Sequence, residues 1–205
     1  LTGTTPSFTT NGTINVAASR TLTLQGGVTG GAGQNYYYAG GTLGGAGTVA
    51  LLNSTLHLNA PISSSMAQLD GNQSILAGPS TFTVSTGTTV PMLSSTISAP
   101  TYVSAGGTLE MTASDMTGDL QNVGTVNWIS VCAASGAITT VAGSTLRVLG
   151  TPSYNSSLTV ATGFTNNATI ELTSSGAATA ATLAVTAGSL VNAPAALIAA
   201  LPGSG

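Results

Sequence analysis

Phe164-Thr165-Asn166-Asn167-Ala168-Thr169-Ile170 has two imperfect copies upstream, Leu120-Gln121-Asn122-Val123-Gly124-Thr125-Val126 and Phe8-Thr9-Thr10-Asn11-Gly12-Thr13-Ile14. Ala46-Gly47-Thr48-Val49 repeats the second half of the same unit. A second unit, Thr-apolar-x-apolar bounded by Gly, Asn or Ser, interleaves with it. It occurs as Thr21-Leu22-Thr23-Leu24, Thr55-Leu56-His57-Leu58, Thr81-Phe82-Thr83-Val84, Thr108-Leu109-Glu110-Met111, Thr145-Leu146-Arg147-Val148 and Thr182-Leu183-Ala184-Val185. Apolar residues two apart put one face of a short strand toward a core and leave Thr on the other. Successive copies of this second unit lie about 26 to 37 residues apart, the degeneracy tolerated where each repeat contacts mainly its neighbours.

Strands this short do not hold a sheet by themselves, but stacking coil on coil lets every backbone pair above and below. The pattern therefore predicts an all-β fold, a parallel β-helix (β-solenoid) with degenerate coils and surface loop insertions, spanning 1–205 as a single segment. Inward Leu, Val, Ile and Phe are expected to form columns, outward Thr and Ser to pair along the ladder, and Gly and Asn to take the positive-φ corners. At roughly 20 residues per coil the chain makes about eight to ten coils and a rod on the order of 40 to 50 Å long. A sandwich or jelly roll is the competing all-β arrangement. It predicts longer strands and clearer hairpin signals than Asn11-Gly12 and Asp70-Gly71.

Composition agrees and excludes other classes. Only 3% of the 205 residues are charged, with five acids, two bases and a net charge of −3, against roughly 25% in an ordinary soluble domain. Arg20 and Arg147 are the only cationic residues other than His57, too few for the counterion release that nucleic-acid binding requires, so no nucleic-acid partner is expected. The chain is 42% hydrophobic, enough for a core. No apolar run approaches the roughly 18 residues of a membrane-spanning helix.

Gly163 to Ser175, followed by Ala181-Thr182-Leu183-Ala184-Val185 and Gly188-Ser189-Leu190-Val191-Asn192-Ala193-Pro194, resembles the degenerate repeats of very large secreted bacterial proteins of the filamentous-haemagglutinin-like and autotransporter-passenger-like kind. Gly41-Thr42-Leu43-Gly44-Gly45-Ala46-Gly47-Thr48-Val49 is similar to the Gly-rich strand repeat of autotransporter passengers. The resemblance implies a right-handed parallel β-helix, secretion, and adhesive or structural roles; it carries no fixed catalytic residues. The chain is accordingly expected to be part of a longer repeat protein or fibre.

Candidate functional residues are few. Tyr36, Tyr37 and Tyr38 are the most distinctive local feature: alternation puts Tyr37 on one face and its neighbours on the other, so at least one ring is expected outside, as cover for an insertion or as a contact for a sugar or another subunit. Glu110, Asp115 and Asp119 cluster within ten residues and are the only set suited to glycoside hydrolysis or lysis, though without the basic and aromatic residues such sites carry. His57 and Cys132 read as a hydrogen-bonded strand histidine and a small buried apolar residue beside Trp128. No metal or cofactor is expected. Flat Thr arrays also suit ice, but the irregular spacing of Thr along the chain argues against a lattice.

The function these features favour is an extracellular structural protein of a bacterial surface or matrix, a rod or head-to-tail fibre subunit. Its expected partners are further copies, or neighbouring repeats of the same protein. An adhesin using Tyr36 to Tyr38 and the Thr-rich face to engage surface glycans is the alternative, and a polysaccharide-degrading enzyme a third.

Overall fold

The computed structural model describes residues 7–26, 33–64, 68–176 and 179–203. All regular elements among them are β-strands, 27 in number, and all strand pairing is parallel apart from one isolated antiparallel bridge between Thr151 and Tyr154. The described residues form a parallel β-solenoid of nine coils with three strands each. Sheet I takes the first strand of every coil: Ser7–Thr10, Gln34–Tyr38, Ser54–Leu58, Ile75–Ala77, Thr96–Ile97, Asp115–Met116, Val131–Ala134, Ser156–Val160 and Ala181–Val185. Sheet III takes the last: Thr21–Gln25, Thr48–Leu52, Gln68–Asn72, Thr89–Leu93, Thr108–Thr112, Thr125–Ile129, Thr145–Gly150, Thr169–Ser174 and Leu197–Ala200. The middle strands form the more broken sheet II. Its five-stranded centre is Ile62–Ser63, Phe82–Val84, Thr101–Val103, Leu120–Asn122 and Ile138–Thr140; Thr13–Asn15 pairs with Thr42–Gly44, and Phe164–Asn166 with Leu190–Asn192.

Register fixes the coil lengths. In sheet I, Ser7, Asn35, Thr55, Ile75, Thr96, Asp115, Ala133, Thr159 and Ala184 stand in one file, so successive coils advance by 28, 20, 20, 21, 19, 18, 26 and 25 residues. Nine strands at the inter-strand spacing make a stack about 40 Å long.

Sheet III shows why the residues fold this way. Its inward file is Leu22, Val49, Leu69, Val90, Leu109, Val126, Leu146, Ile170 and Ile198, aliphatic in all nine coils. The residue just before each of these points outward and is Thr in seven coils, Gln68 in the third and Leu197 in the ninth. The aliphatic members from Val49 to Ile170 are buried, and each fully buried side chain is worth about 1.5–3 kcal/mol relative to exposure. This Thr-aliphatic pair is the true repeat. The two interleaved units expected from the sequence dissolve into it: Thr21, Thr48, Thr108, Thr125, Thr145 and Thr169 are equivalent, whereas Thr55 and Thr182 belong to sheet I, Thr13 to sheet II, and Thr81 immediately precedes a sheet II strand. A Thr-apolar pair specifies a half-buried strand, not which side of the coil it occupies. Pro91 stands outward in the fourth strand of sheet III, where it has no N–H to give the preceding coil.

Glycine takes positive φ at corners between sheets I and II and between sheets II and III, as at Gly78 and Gly87, in line with expectation, but the corner between sheets III and I departs from it. In five successive turns from sheet III to sheet I one residue is left-handed, and it is not glycine: Asn53 (φ 48°), Gln73 (φ 50°), Ser94 (φ 49°), Ala113 (φ 47°) and Ser130 (φ 65°). A left-handed non-glycine residue costs about 1–2 kcal/mol. It is offset here by the inter-coil bonds made by the turn, in which the Asn53, Gln73, Ser94 and Ala113 N–H groups donate to the carbonyls of Asn72, Leu93, Thr112 and Ile129 at 3.1, 2.9, 2.9 and 2.9 Å. The residue after the turn is a buried serine in four coils. Ser54, Ser74 and Ser95 each donate a backbone N–H to the hydroxyl of the next serine, Ser74, Ser95 and Ser114, at 3.3, 3.1 and 3.0 Å. Those hydroxyls donate in turn to the carbonyls of Asn72, Leu93 and Thr112, each at 2.8 Å. A polar file thus runs inside the corner with donors and acceptors matched, the condition for burying it.

Candidate functional site

Tyr36 and Tyr38 do not form a surface site. Both point into the core, 7% and 4% exposed, where their hydroxyls donate to the carbonyls of Gln25 at 2.9 Å and Gly41 at 3.0 Å. Burial raises the Tyr36 phenol above its ordinary value, with the Gln25 bond acting against the rise. The candidate surface is reduced to Tyr37, the one ring that alternation sends outward. Its neighbour one coil on is His57, and the rings stack with centroids 4.6 Å apart and planes 10° from parallel. His57 Nε2 lies 2.8 Å from Asn35 Oδ1. Adjacent strands bring like-facing side chains together in this way, so one face of Tyr37 is covered and the pair presents mainly its edges.

The acids separate. Ten residues span about half a coil, so proximity along the chain becomes distribution around the rod. Glu110 lies outward on sheet III, Asp115 on sheet I, and Asp119 at the corner entering sheet II. Asp115 Oδ1 accepts the Ala133 N–H at 3.2 Å and Asp119 Oδ1 the Ala137 N–H at 2.9 Å, so both carboxylates bind the backbone of the following coil. Glu171 pairs with Arg147 at 2.6 Å, and Asp70 accepts from Gln68 at 3.1 Å while burial lifts its carboxyl above the ordinary range. Among the described residues no three of His, Cys, Asp and Glu come together as a metal site.

The Thr-rich face is more regular than the sequence spacing implied. Thr21, Thr48, Thr89, Thr108, Thr125, Thr145 and Thr169 stand in a single file, because the corners absorb the unequal coil lengths. The adjacent outward file is Thr23, Ala50, Asp70, Pro91, Glu110, Asn127, Arg147, Glu171 and Ala199, so there is no second rank of Thr. Four of the chain's seven Asp, Glu, Lys and Arg residues lie in this one file.

Cys132 occupies the position of the serine file in the seventh coil, directly after Ser114. Its thiol is buried and donates to the carbonyls of Ile129 at 3.2 Å and Met111 at 3.3 Å, and burial raises its pKa. Serine already fills this position in four coils, so Cys132→Ser is expected to change stability by less than about 1 kcal/mol. The native thiol should react with a disulfide reagent only as fast as the coil opens. Immediate labelling without denaturant, or a large loss of stability in the serine variant, would contradict this placement.

The serine file and a second polar stack, buried except at its last member, Asn192, were not recognised in the sequence. Asn122, Thr140, Asn166 and Asn192 stand at the end of successive sheet II strands. Asn122 Oδ1 accepts the Gly124 N–H at 3.1 Å and Asn166 Oδ1 the Ala168 N–H at 3.1 Å; Asn166 Nδ2 donates to Asn192 Oδ1 at 2.8 Å. The signals were present, as serines at 54, 74, 95 and 114 and as the shared Asn of Leu120–Asn122, Phe164–Asn166 and Leu190–Asn192.

No family model matches the chain, and no similar curated protein or solved structure was found. The class defined by the fold is the parallel β-solenoid repeat protein.

Proposed function

We propose that the chain is a structural segment of an extracellular bacterial rod or fibre, holding distance and shape at a cell surface or in a matrix. The observation that carries this reading is the uninterrupted in-register stack: sheets I and III each run through all nine coils, with an aliphatic file and buried Ser and Asn files locking one coil to the next. A ladder of this kind resists lateral bending and fraying because every interior strand is bonded on both sides. The resemblance of its repeats to those of large secreted bacterial proteins supports the compartment.

The test is twofold. Small-angle scattering of the purified chain should give a moderately elongated particle, about 40 Å along the stack and narrower across it, and antibodies raised against it should label intact cells of the source. A compact isotropic particle would overturn the rod, and labelling only after permeabilisation would overturn the location.

A second reading, glycan adhesion, is favoured by the outward Tyr37–His57 stack beside Asn35. A glycan-array signal lost in Tyr37→Ala would support it, and an unchanged signal or none would remove it.

A further inference from the structure

We propose that a groove across sheet II in the fifth to seventh coils binds a single neutral sugar unit of a polysaccharide, with Tyr102 as its aromatic platform. The site lies on a different sheet from the Tyr37–His57 stack, and it does not depend on the chain being a structural rod.

Register builds the groove. Tyr102, Gln121 and Thr139 stand in one outward file of sheet II. Pro100, Asp119 and Ala137 immediately precede the strands that carry them. Residues a full coil apart in the chain thus lie side by side and line a space of about 250 Å³. The backbone beneath it is fixed. Gly118 and Gly136 bring successive coils into direct contact, since an added Cβ would lie 2.4 Å from the Ala99 carbonyl oxygen and 2.1 Å from that of Gly118. The Asp119 and Ala137 carbonyls accept the Thr101 and Leu120 N–H groups, each at 2.8 Å. A site held in this way has little freedom to lose when a ligand binds.

The lining selects the ligand. Tyr102 is half-buried and, unlike Tyr37, has no second ring stacked on it among the described residues. Asp119, Gln121 and Thr139 are exposed around it. Asp119 uses Oδ1 to accept the Ala137 N–H at 2.9 Å, which leaves Oδ2, the Gln121 amide and the Tyr102 and Thr139 hydroxyls without partners among the described residues. An aromatic face beside a few open donors and acceptors matches a pyranose ring, which has an apolar C–H face and a rim of hydroxyls that both donate and accept. No Arg, Lys or His lines the groove, and the Asp119 carboxylate repels anions, so the unit bound is not a uronate, sulfate or phosphate. The space is smaller than the roughly 300–1,000 Å³ of sites that enclose drug-sized molecules, and it suits one ring. A tyrosine beside a carboxylate also attracts organic ammonium ions; the uncharged Gln121 and Thr139 groups favour the sugar, and the experiment separates the two.

Affinity electrophoresis of the purified chain through native gels containing dextran, galactomannan, xyloglucan or hydroxyethyl cellulose should show retardation by at least one of these polymers. Tyr102→Ala should weaken that binding about tenfold. Tyr102→Phe, which keeps the ring, should weaken it much less. Gln121→Ala, at an exposed position, is the second variant and should also reduce retardation, whereas Tyr37→Ala should leave it unchanged; thermal midpoints establish that each variant is folded. Absence of retardation by every polymer overturns the inference, and Tyr102-dependent binding of tetramethylammonium in that case would make the ligand an ammonium ion. Retardation that survives both Tyr102→Ala and Gln121→Ala also overturns it, as does retardation lost only in Tyr37→Ala, which would move the site to sheet I. The scattering profile reads the rod separately, so failure here leaves the structural reading standing.

Discussion

Replacing Asn166 by Leu is expected to lower the stability of the solenoid by about 3–5 kcal/mol, the sum of a lost buried network and the orphaned groups it leaves. Asn166 is fully buried. Its Nδ2 donates to Asn192 Oδ1 at 2.8 Å and to the Ala168 and Leu197 carbonyls at 3.0 and 3.3 Å. Its Oδ1 accepts the Ala168 N–H at 3.1 Å and the Thr140 hydroxyl at 3.4 Å, so one side chain ties three coils together. Leucine fills the volume but leaves the Ala168 N–H buried without its acceptor. Asn192, one coil further on, is exposed, and water replaces its bonds; Asn192→Leu should cost under about 1 kcal/mol. Urea denaturation of the two variants checks this, and equal midpoints would show that burial of the stack is not what makes it matter.

The second large effect is expected at Gly78, at the corner between sheets I and II. Its φ of +132° is one that side chains rarely adopt, and an added Cβ would lie 2.4 Å from the Leu58 carbonyl oxygen and 2.7 Å from the Leu58 nitrogen. Neither atom can move without breaking the stack of the third and fourth coils. Gly78→Ala is therefore expected to cost about 3 kcal/mol or more. Gly87 is the control: its φ is +75°, nothing lies within 4 Å of the added atom, and alanine there should cost only about 1–2 kcal/mol of left-handed strain. Thermal midpoints decide, and similar losses at the two positions would mean that the coils are not packed against each other at this corner.

Period-two alternation was legible because it is local: Thr then aliphatic, repeated, requires no knowledge of the partner strand. Coil number and approximate coil length came from the usual size of a solenoid coil, about 20 residues. Equivalence between repeats was not legible, and Thr55-Leu56-His57-Leu58 and Thr145-Leu146-Arg147-Val148 look alike while lying in different sheets. Only the corner between them distinguishes the two, and the corner signal is degenerate. Asn53, Gln73, Ser94, Ala113 and Ser130 share a conformation and no chemistry, because inter-coil bonding, not residue preference, holds the left-handed turn.

The candidate residues are placed by the same geometry. Tyr36 and Tyr38 flank Tyr37, but alternation buries both, and the aromatic partner of Tyr37 is His57 from the next coil. Glu110, Asp115 and Asp119 are neighbours in the chain and stand on different sides of the rod. In a solenoid the residues that meet on one face are those about 20 apart, as Asn127, Arg147 and Glu171 do, with Arg147 Nη1 donating to Asn127 at 3.4 Å and Nε to Glu171 at 2.6 Å.

By itself the sequence pointed to the class of fold: very short alternating strands with few hairpin signals, in a chain 42% hydrophobic and 3% charged, bury a core most readily by stacking. The tertiary structure decided which repeats are equivalent, which corners carry buried serine and asparagine, and which side chains meet. Those properties depend on register between coils, and register is set by inter-coil hydrogen bonds and the summed lengths of three corners, which no local stretch of chain encodes.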